Sequence, residues 1–398
     1  MMKKSFLCIT GFIFLCLCTQ AQFTVVFKLK DYPLQHKNDS IFIAGDFNGW
    51  NPYNKIFGLS TTAETADSIS IQLASGNYQF KCTRGSWQKT ECSVNGADVA
   101  NHLLTINSDT TIVLTIAAWK DDFKPVEKVH TASNHVYIMD SAFFIPQLNR
   151  YRRIWIYLPE GYTSTKKHYP VLYMHDGQNL FDDYTSGFGE WGVDECLDSL
   201  IKKGVQACIV VGIDNGGEKR LSEYNPYKFI LKRQQLDSGQ VFLPEGKEYI
   251  NFITEILKTF IDKKYRTLTD KNNTLIAGSS MGGLISYYAM LVQPNVFGKA
   301  GIFSPAFWTA PAIKSLTDSI AQNTNGKFFF YAGGKEGEDF VNDMKDVQEM
   351  LGEKSGAMIY SVVDPEAAHN EKAWRQWFPE FYVWMMANGF NTVIKLKD

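Results

Sequence analysis

The hydrophobic period of this chain changes once along its length, and that change limits the folds open to it. From 23 to 116, apolar residues alternate with polar ones: Phe23, Val25, Phe27 and Leu29; Ile69, Ile71 and Leu73; Tyr78, Phe80 and Cys82; Ile112, Leu114 and Ile116. A period of two marks half-buried antiparallel strands. Turn pairs at Asn48-Gly49, Ser75-Gly76 and Asn95-Gly96 separate the runs. Residues 22–118 are therefore expected to form a small all-β sandwich, followed by a polar linker over 119–133 around Pro125.

Beyond 134, short apolar runs at 154–158, 171–174, 208–213, 274–277, 328–331 and 358–363 alternate with helical patterns. In the helix expected over 249–265, Ile250, Ile253, Leu257, Phe260 and Ile261 share one face. Strand then helix, repeated, predicts an α/β fold with a doubly wound sheet over 134–398. The 398 residues suffice for two domains that each bury a core.

The first 21 residues read differently. Lys3 and Lys4 precede an apolar run over 6–18, and Thr19-Gln20-Ala21 follows with small side chains at alternate positions. This pattern predicts an export signal, a periplasmic or extracellular location, and no membrane span in the mature chain, with lipidation at Cys16 or Cys18 the alternative to a soluble protein. Beyond it stand Cys82, Cys92, Cys196 and Cys208. Cys82 and Cys92 lie symmetrically about Trp87 in an expected hairpin and are candidates for a disulfide, whereas Cys196 and Cys208 are expected to be buried thiols. Forty basic against forty-two acidic residues leave a net charge of −2, which offers no basic footprint for nucleic acid. No cysteine spacing matches a zinc site.

The chemistry centres on Gly278-Ser279-Ser280-Met281-Gly282-Gly283, set between an apolar strand and a helix. This is G-x-S-x-G in strand-turn-helix context, a turn so tight that the neighbours of the central serine must be small. Ser280 is the candidate nucleophile. A serine hydroxyl needs a base to take its proton, and in this arrangement acid and then histidine follow the serine along the chain. His369 alone among the seven histidines lies beyond Ser280. Between them, after the strand at 328–331, come Gly333-Gly334-Lys335-Glu336, with Glu338 and Asp339 close behind. Glu336 is the first choice for the carboxylate that orients the imidazole, the other two remaining open. An oxyanion needs two backbone donors, expected at Met281 and at Gln178 in the loop His175-Asp176-Gly177-Gln178. His175 and Asp176 precede the serine, so a loop-fixing hydrogen bond is their expected use, with Asp176 also kept as a candidate substrate contact. Tyr227, Phe229 and Trp308 are aromatic candidates for a pocket, though core packing is the commoner fate of such residues.

These residues, with Tyr173-Met174-His175-Asp176-Gly177-Gln178-Asn179, Glu190-Trp191-Gly192, Gly212-Ile213-Asp214-Asn215 and Phe303-Ser304-Pro305, resemble the esterase D family of α/β-hydrolases. That branch holds feruloyl esterases, enterochelin-type siderophore esterases and mycolyltransferases. The resemblance runs over about 134–390 and implies carboxylic ester chemistry by Ser280, His369 and an acid matching Glu336, with Trp191 near the acyl pocket and no cofactor or metal. Many relatives carry aspartate where Glu336 stands. Separately, Gly45-Asp46-Phe47-Asn48-Gly49-Trp50-Asn51-Pro52, Tyr78-Gln79-Phe80-Lys81 and Arg84-Gly85-Ser86-Trp87 are similar to glycogen- and starch-binding early-set sandwiches. That likeness implies that Trp50 and Trp87 stack on sugar rings of a glucan, the plainer alternative being a structural spacer. The leading expectation is thus an exported serine esterase acting on acetyl or feruloyl esters of carbohydrates. Siderophore trilactone hydrolysis and acyl transfer are the alternatives within the fold, and a non-catalytic carbohydrate-binding protein is the alternative outside it.

Overall fold

The computed structural model describes residues 22–59, 68–124, 128–231 and 240–387. The expected export signal, with Cys8, Cys16 and Cys18, lies outside the described residues. The chain divides into two compact units, Met1–Val126 with Leu231–Gln240, and Glu127–Ile230 with Val241–Asp398.

Among the described residues the first unit holds nine strands: β1 (Gln22–Asp31), β2 (Ile41–Gly45), β3 (Gly58–Leu59), β4 (Ser68–Ala74), β5 (Gly76–Thr83), β6 (Glu91–Cys92), β7 (His102–Ile106), β8 (Thr110–Thr115) and β9 (Ala118–Trp119). They pair as β4-β1-β8, as β3-β2-β5-β7 and as β6-β9. One core draws on both larger sheets, through Val25, Phe27 and Leu29 of β1 and Ile43, Phe80 and Leu104 of the other. The residues that alternate in the sequence are those that turn inward, because successive side chains of a strand leave on opposite faces. Trp119, expected to open the linker, is instead fully buried in this core, with the Arg84 guanidinium 5.3 Å above its ring.

The anticipated Cys82–Cys92 bridge is absent, and both thiols are free and buried. Thr83 bridges Thr90, which sets Glu91, not Cys92, opposite Cys82. Glu91 accordingly accepts the Cys82 N–H at 2.7 Å. An offset of one residue turns a side chain to the other face of a sheet, so symmetry about Trp87 in the sequence does not bring the sulfurs together.

In the second unit eight strands form one mixed sheet: β10 (Val136–Ile145), β11 (Arg150–Tyr157), β12 (Val171–His175), β13 (Ile209–Ile213), β16 (Thr274–Ser279), β17 (Lys299–Phe303), β18 (Lys327–Gly333) and β19 (Met358–Asp364). The two remaining short strands, β14 (Phe229–Leu231) and β15 (Gln240–Phe242), pair with each other. The large sheet runs β10-β11-β13-β12-β16-β17-β18-β19, antiparallel over its first two pairings and parallel thereafter. The α/β architecture is the expected one. Strands β10 and β17 were not anticipated: β17 holds only five residues and opens on a lysine, and β10 carries exposed Tyr137 and Ile138 on an edge, which blurs its alternation. The helix expected over 249–265 starts at Gly246 and passes through a π-helical stretch at Phe252–Leu257 before ending at Lys264. Among the described residues no helix is long and apolar enough to cross a membrane.

His102 in the first unit links fold to pH. Its Nε2 lies 3.0 Å from both oxygens of buried Glu91, and its ring stacks on Phe80 at 4.8 Å. The Glu91 hydrogen bond raises the imidazole above its ordinary value, against the effect of burial. A histidine held more basic in the folded state contributes stability that is complete below its unfolded value of about 6.5 and is lost as pH rises through the folded value. The unfolding midpoint of the wild type relative to His102→Gln should therefore be higher at about pH 6 than at about pH 9, and a difference independent of pH would refute the linkage.

Candidate active site

Parallel pairing aligns Ser279, Phe303, Tyr331 and Val362 in one row across β16, β17, β18 and β19. Residues just past this row emerge together at the carboxyl edge of the sheet, where open α/β sheets place their ligands. Ser280 follows β16, Ser304 follows β17, Glu336 closes the turn after β18, and His369 lies in the loop after β19.

Ser280 has φ 58° and ψ −119°, a backbone state that L side chains rarely adopt. Its N–H donates to the Phe303 carbonyl at 2.9 Å, and its own carbonyl accepts from Leu284 and Ala306 at 3.1 and 3.0 Å. The turn closes because its glycines leave room: a Cβ on Gly283 would stand 2.8 Å from the Phe303 carbonyl oxygen. Met281 opens the helix Met281–Val292, so its N–H is among the first-turn donors without an intrahelical acceptor.

Around Glu336 the polar contacts are complete. Its Oε2 lies 2.7 Å from His369 Nδ1, and its Oε1 accepts the Gly333 N–H at 2.7 Å and the Ser304 hydroxyl at 2.6 Å. The carboxylate side chain is 1 % exposed, whereas that of His369 is 37 % exposed. The imidazole is held edge-to-face by Trp374 at 5.1 Å and Phe340 at 5.5 Å. Asn370, next in sequence, caps the final helix by accepting the Ala373 N–H at 3.0 Å, which fixes the exit of the loop. Glu338 and Asp339, the other candidate acids, stand in the first turn of the helix Glu338–Lys354, where negative charge suits the helix dipole.

The loop carrying Gln178 is tied from beneath. Both oxygens of Asp176 are taken by the Arg220 guanidinium at 2.7 and 2.8 Å, and Oδ1 also accepts from Asn215 at 2.7 Å. Burial works to raise the Asp176 carboxyl, but Arg220 and Asn215 overcome it and leave it below the ordinary range. The Gln178 side chain is itself engaged, its Oε1 accepting the Asn215 N–H at 3.1 Å. His175 is buried, with Nδ1 3.0 Å from the Tyr249 hydroxyl. Burial drives its imidazole down to about 3, so it is neutral, and it packs beneath Gly278 and Gly282.

Several sequence candidates take other places. Trp191 is 3 % exposed and packs on Trp374, Phe303 and Phe378, so it lies in the core beneath the edge rather than lining a surface. Asp176, spent on Arg220 and Asn215, fixes its loop instead of facing outward. Phe229 stacks on Phe242 at 4.8 Å, a packing contact. Trp308, by contrast, is 52 % exposed and stands two residues beyond Ala306, whose N–H reaches the Ser280 carbonyl. Tyr227 is half-buried nearby, in a segment that Asn225 ties to Thr309. In the first unit Trp50 and Trp87 are neighbours, with ring centroids 6.3 Å apart, and Asp46 holds the Trp50 Nε1–H at 2.9 Å. Sequence reasoning gave no role to Arg220, Ser304, Trp374 or Glu371. Glu371, two residues past His369, lies 3.5 Å from the Asn179 amide, and burial together with the Asp176 charge pushes its carboxyl up to about 7. No local motif marks Arg220 or Glu371, whose partners are remote in sequence.

The loops after β18 and β19 touch backbone to backbone. A Cβ on Gly333 would fall 2.4 Å from the Ala367 carbonyl oxygen, and one on Gly334 would fall 2.8 Å from Pro365 Cα. Gly333→Ala is accordingly expected to force these loops apart and to lower stability by about 1–3 kcal/mol, the usual cost of overpacking, as read by denaturant unfolding. An unchanged midpoint would mean that the loops do not meet as described.

A family model described as a putative esterase matches residues 145–385. An endo-1,4-beta-xylanase/feruloyl esterase of Xylanibacter ruminicola is 26 % identical over 248 residues, 61 % of this chain and 30 % of that protein. An alpha-amylase of Niallia circulans is 35 % identical over 100 residues, 25 % of this chain and 8 % of that one. The enterobactin esterase of Shigella flexneri, solved in the presence of enterobactin, superposes with a TM-score of 0.50 at 14 % identity over 92 % of each chain, a likeness of fold.

Proposed function

The chain belongs to the esterase family and is a serine carboxylic ester hydrolase, and from that premise we propose that Ser280, His369 and Glu336 carry its chemistry through an acyl-enzyme. The observation that carries this reading is the 2.7 Å contact between Glu336 Oε2 and His369 Nδ1, made at the edge of the sheet on which Ser280 stands in its strained turn. Ser280 Oγ attacks the ester carbonyl while His369 Nε2 takes its proton. Glu336 keeps the proton on Nδ1 and stabilises the imidazolium. The amides of Met281 and Gln178 receive the charge that develops on the carbonyl oxygen. The C–O bond to the alcohol then breaks and His369 returns its proton to the leaving oxygen. Water, activated by the same imidazole, attacks the acyl-enzyme and frees the acid and Ser280. The residues involved do this work without a cofactor.

As substrate we propose acyl esters of carbohydrates, acetyl or feruloyl, met outside the cytoplasm after cleavage of the signal at 1–21. Support comes from the feruloyl esterase relative and from the indoles of Trp50 and Trp87, the latter 44 % exposed, whose flat faces suit the apolar face of a pyranose. Exposed Trp308, close to the Ser280 turn, is the aromatic contact we assign to the acyl group.

A fluorophosphonate probe should label the wild type and leave Ser280→Ala unlabelled; equal labelling of both would end this reading. Ser280→Ala and His369→Ala should each lower kcat/KM by roughly three orders of magnitude or more, with a smaller loss in Glu336→Gln. A panel of nitrophenyl acetate, longer acyl esters and feruloyl esters of a sugar tests the acyl preference, and the highest kcat/KM on long aliphatic chains would refute it. Trp87→Ala should weaken retention on a glucan matrix while leaving hydrolysis of nitrophenyl acetate intact; glucan retention with no ester turnover by the wild type would favour a pure binding protein.

A further inference from the structure

Ser304 is fully buried at the carboxyl end of β17 and has φ 44°, outside the range that side-chain-bearing residues prefer. Its backbone is pinned by an N–H bond of 2.6 Å to the Tyr331 carbonyl. Its hydroxyl has two polar neighbours, Trp374 Nε1 at 2.9 Å and Glu336 Oε1 at 2.6 Å. An indole nitrogen can only donate, so the hydroxyl oxygen accepts from Trp374 and its single proton is directed at Glu336. The direction of this relay is set by chemistry alone.

We propose that Ser304 is a positioning residue for ester hydrolysis, whose hydroxyl, oriented by Trp374, clamps Oε1 of Glu336 so that only Oε2 is left for His369. This rests on the reading of Ser280, His369 and Glu336 given above. With the Gly333 N–H, the hydroxyl supplies two donors to Oε1 and holds the carboxylate in one rotamer. The clamp answers a need specific to this chain. Glutamate has one more rotatable bond than aspartate, and without a second anchor its carboxylate would be free to swing off the imidazole. Trp374 serves both ends, because the indole that feeds Ser304 also packs edge-to-face on His369. One buried pair of side chains thereby ties acid and base to the strand next to the one that carries Ser280.

The test is a double-mutant cycle on the full chain, reading kcat, KM, the rate of fluorophosphonate labelling and the thermal midpoint. Ser304→Ala should lower kcat by about 10- to 100-fold, the range expected for loss of a hydrogen bond to a charged group. KM should stay within about twofold. Added to Glu336→Gln, the same change should cost nothing further, since a residue that acts only through Glu336 has nothing left to act on. Wild-type kinetics in Ser304→Ala, or losses that multiply in the double variant, would overturn the clamp while wild-type labelling upheld the reading of Ser280. Failure of the wild type to label at all would take both down. Should Ser304→Ala not fold, Trp374→Phe keeps an aromatic ring at this place and removes the orienting N–H. Its loss in kcat should likewise vanish in the Glu336→Gln background, and multiplication there would again overturn the proposal.

Discussion

Four strands paired in parallel and in register govern where Ser280, Ser304, Glu336 and His369 stand. With Ser279, Phe303, Tyr331 and Val362 in one row, the chain leaves β16, β17, β18 and β19 at a single edge, and each exit contributes one polar side chain. Nothing in the local sequence around Glu336 brings it to His369, 33 residues away. The sheet does that, by stacking the two exits side by side and by using Gly333 and Gly334 where the loops meet.

Two buried ion pairs brace this part of the protein. Asp176 meets Arg220 in a bidentate pair, and Glu223, fully buried, meets Arg152 and Arg150. Ions removed from water are costly unless each hydrogen-bonding site is answered, and such pairs fix geometry more than they add stability. Here the first pair holds the loop that carries Gln178, and neutral His175 fills the space beneath the glycine turn. The rigid scaffold and the strained residues stand together: Asp176, Ser280 and Ser304 all have positive φ, and all lie at strand exits on the carboxyl edge. Backbone strain of this kind persists where surrounding contacts over-determine it, and it gathers at functional sites.

Much of this could be read in advance, for reasons that differ by residue. The turn at Ser280 was legible because a glycine turn between strand and helix is a local pattern. The loop position of His369 after β19 was legible because the apolar run before it marks a strand. The environment of Trp191 was not legible because a tryptophan in a motif says nothing of which way its ring turns, and here it faces Trp374 and Phe303 in the core. The Cys82 and Cys92 pair looked plausible from spacing alone, yet strand register offsets it by one residue. Ser304 sat in a noted triplet but drew no role, since its importance lies in contacts with Glu336 and Trp374, which are 32 and 70 residues away.

The sequence by itself determined the class of each segment, because hydrophobic period and turn chemistry are local properties. It also determined the tight glycine turn at Ser280 between a strand and a helix. Tertiary structure alone decided which carboxylate meets the imidazole, which aromatic rings are core and which are surface, and what holds the acid in place. Those outcomes depend on strand order, register and close approach of loops, which are set by packing among residues far apart in the chain and leave no trace in any short stretch of it.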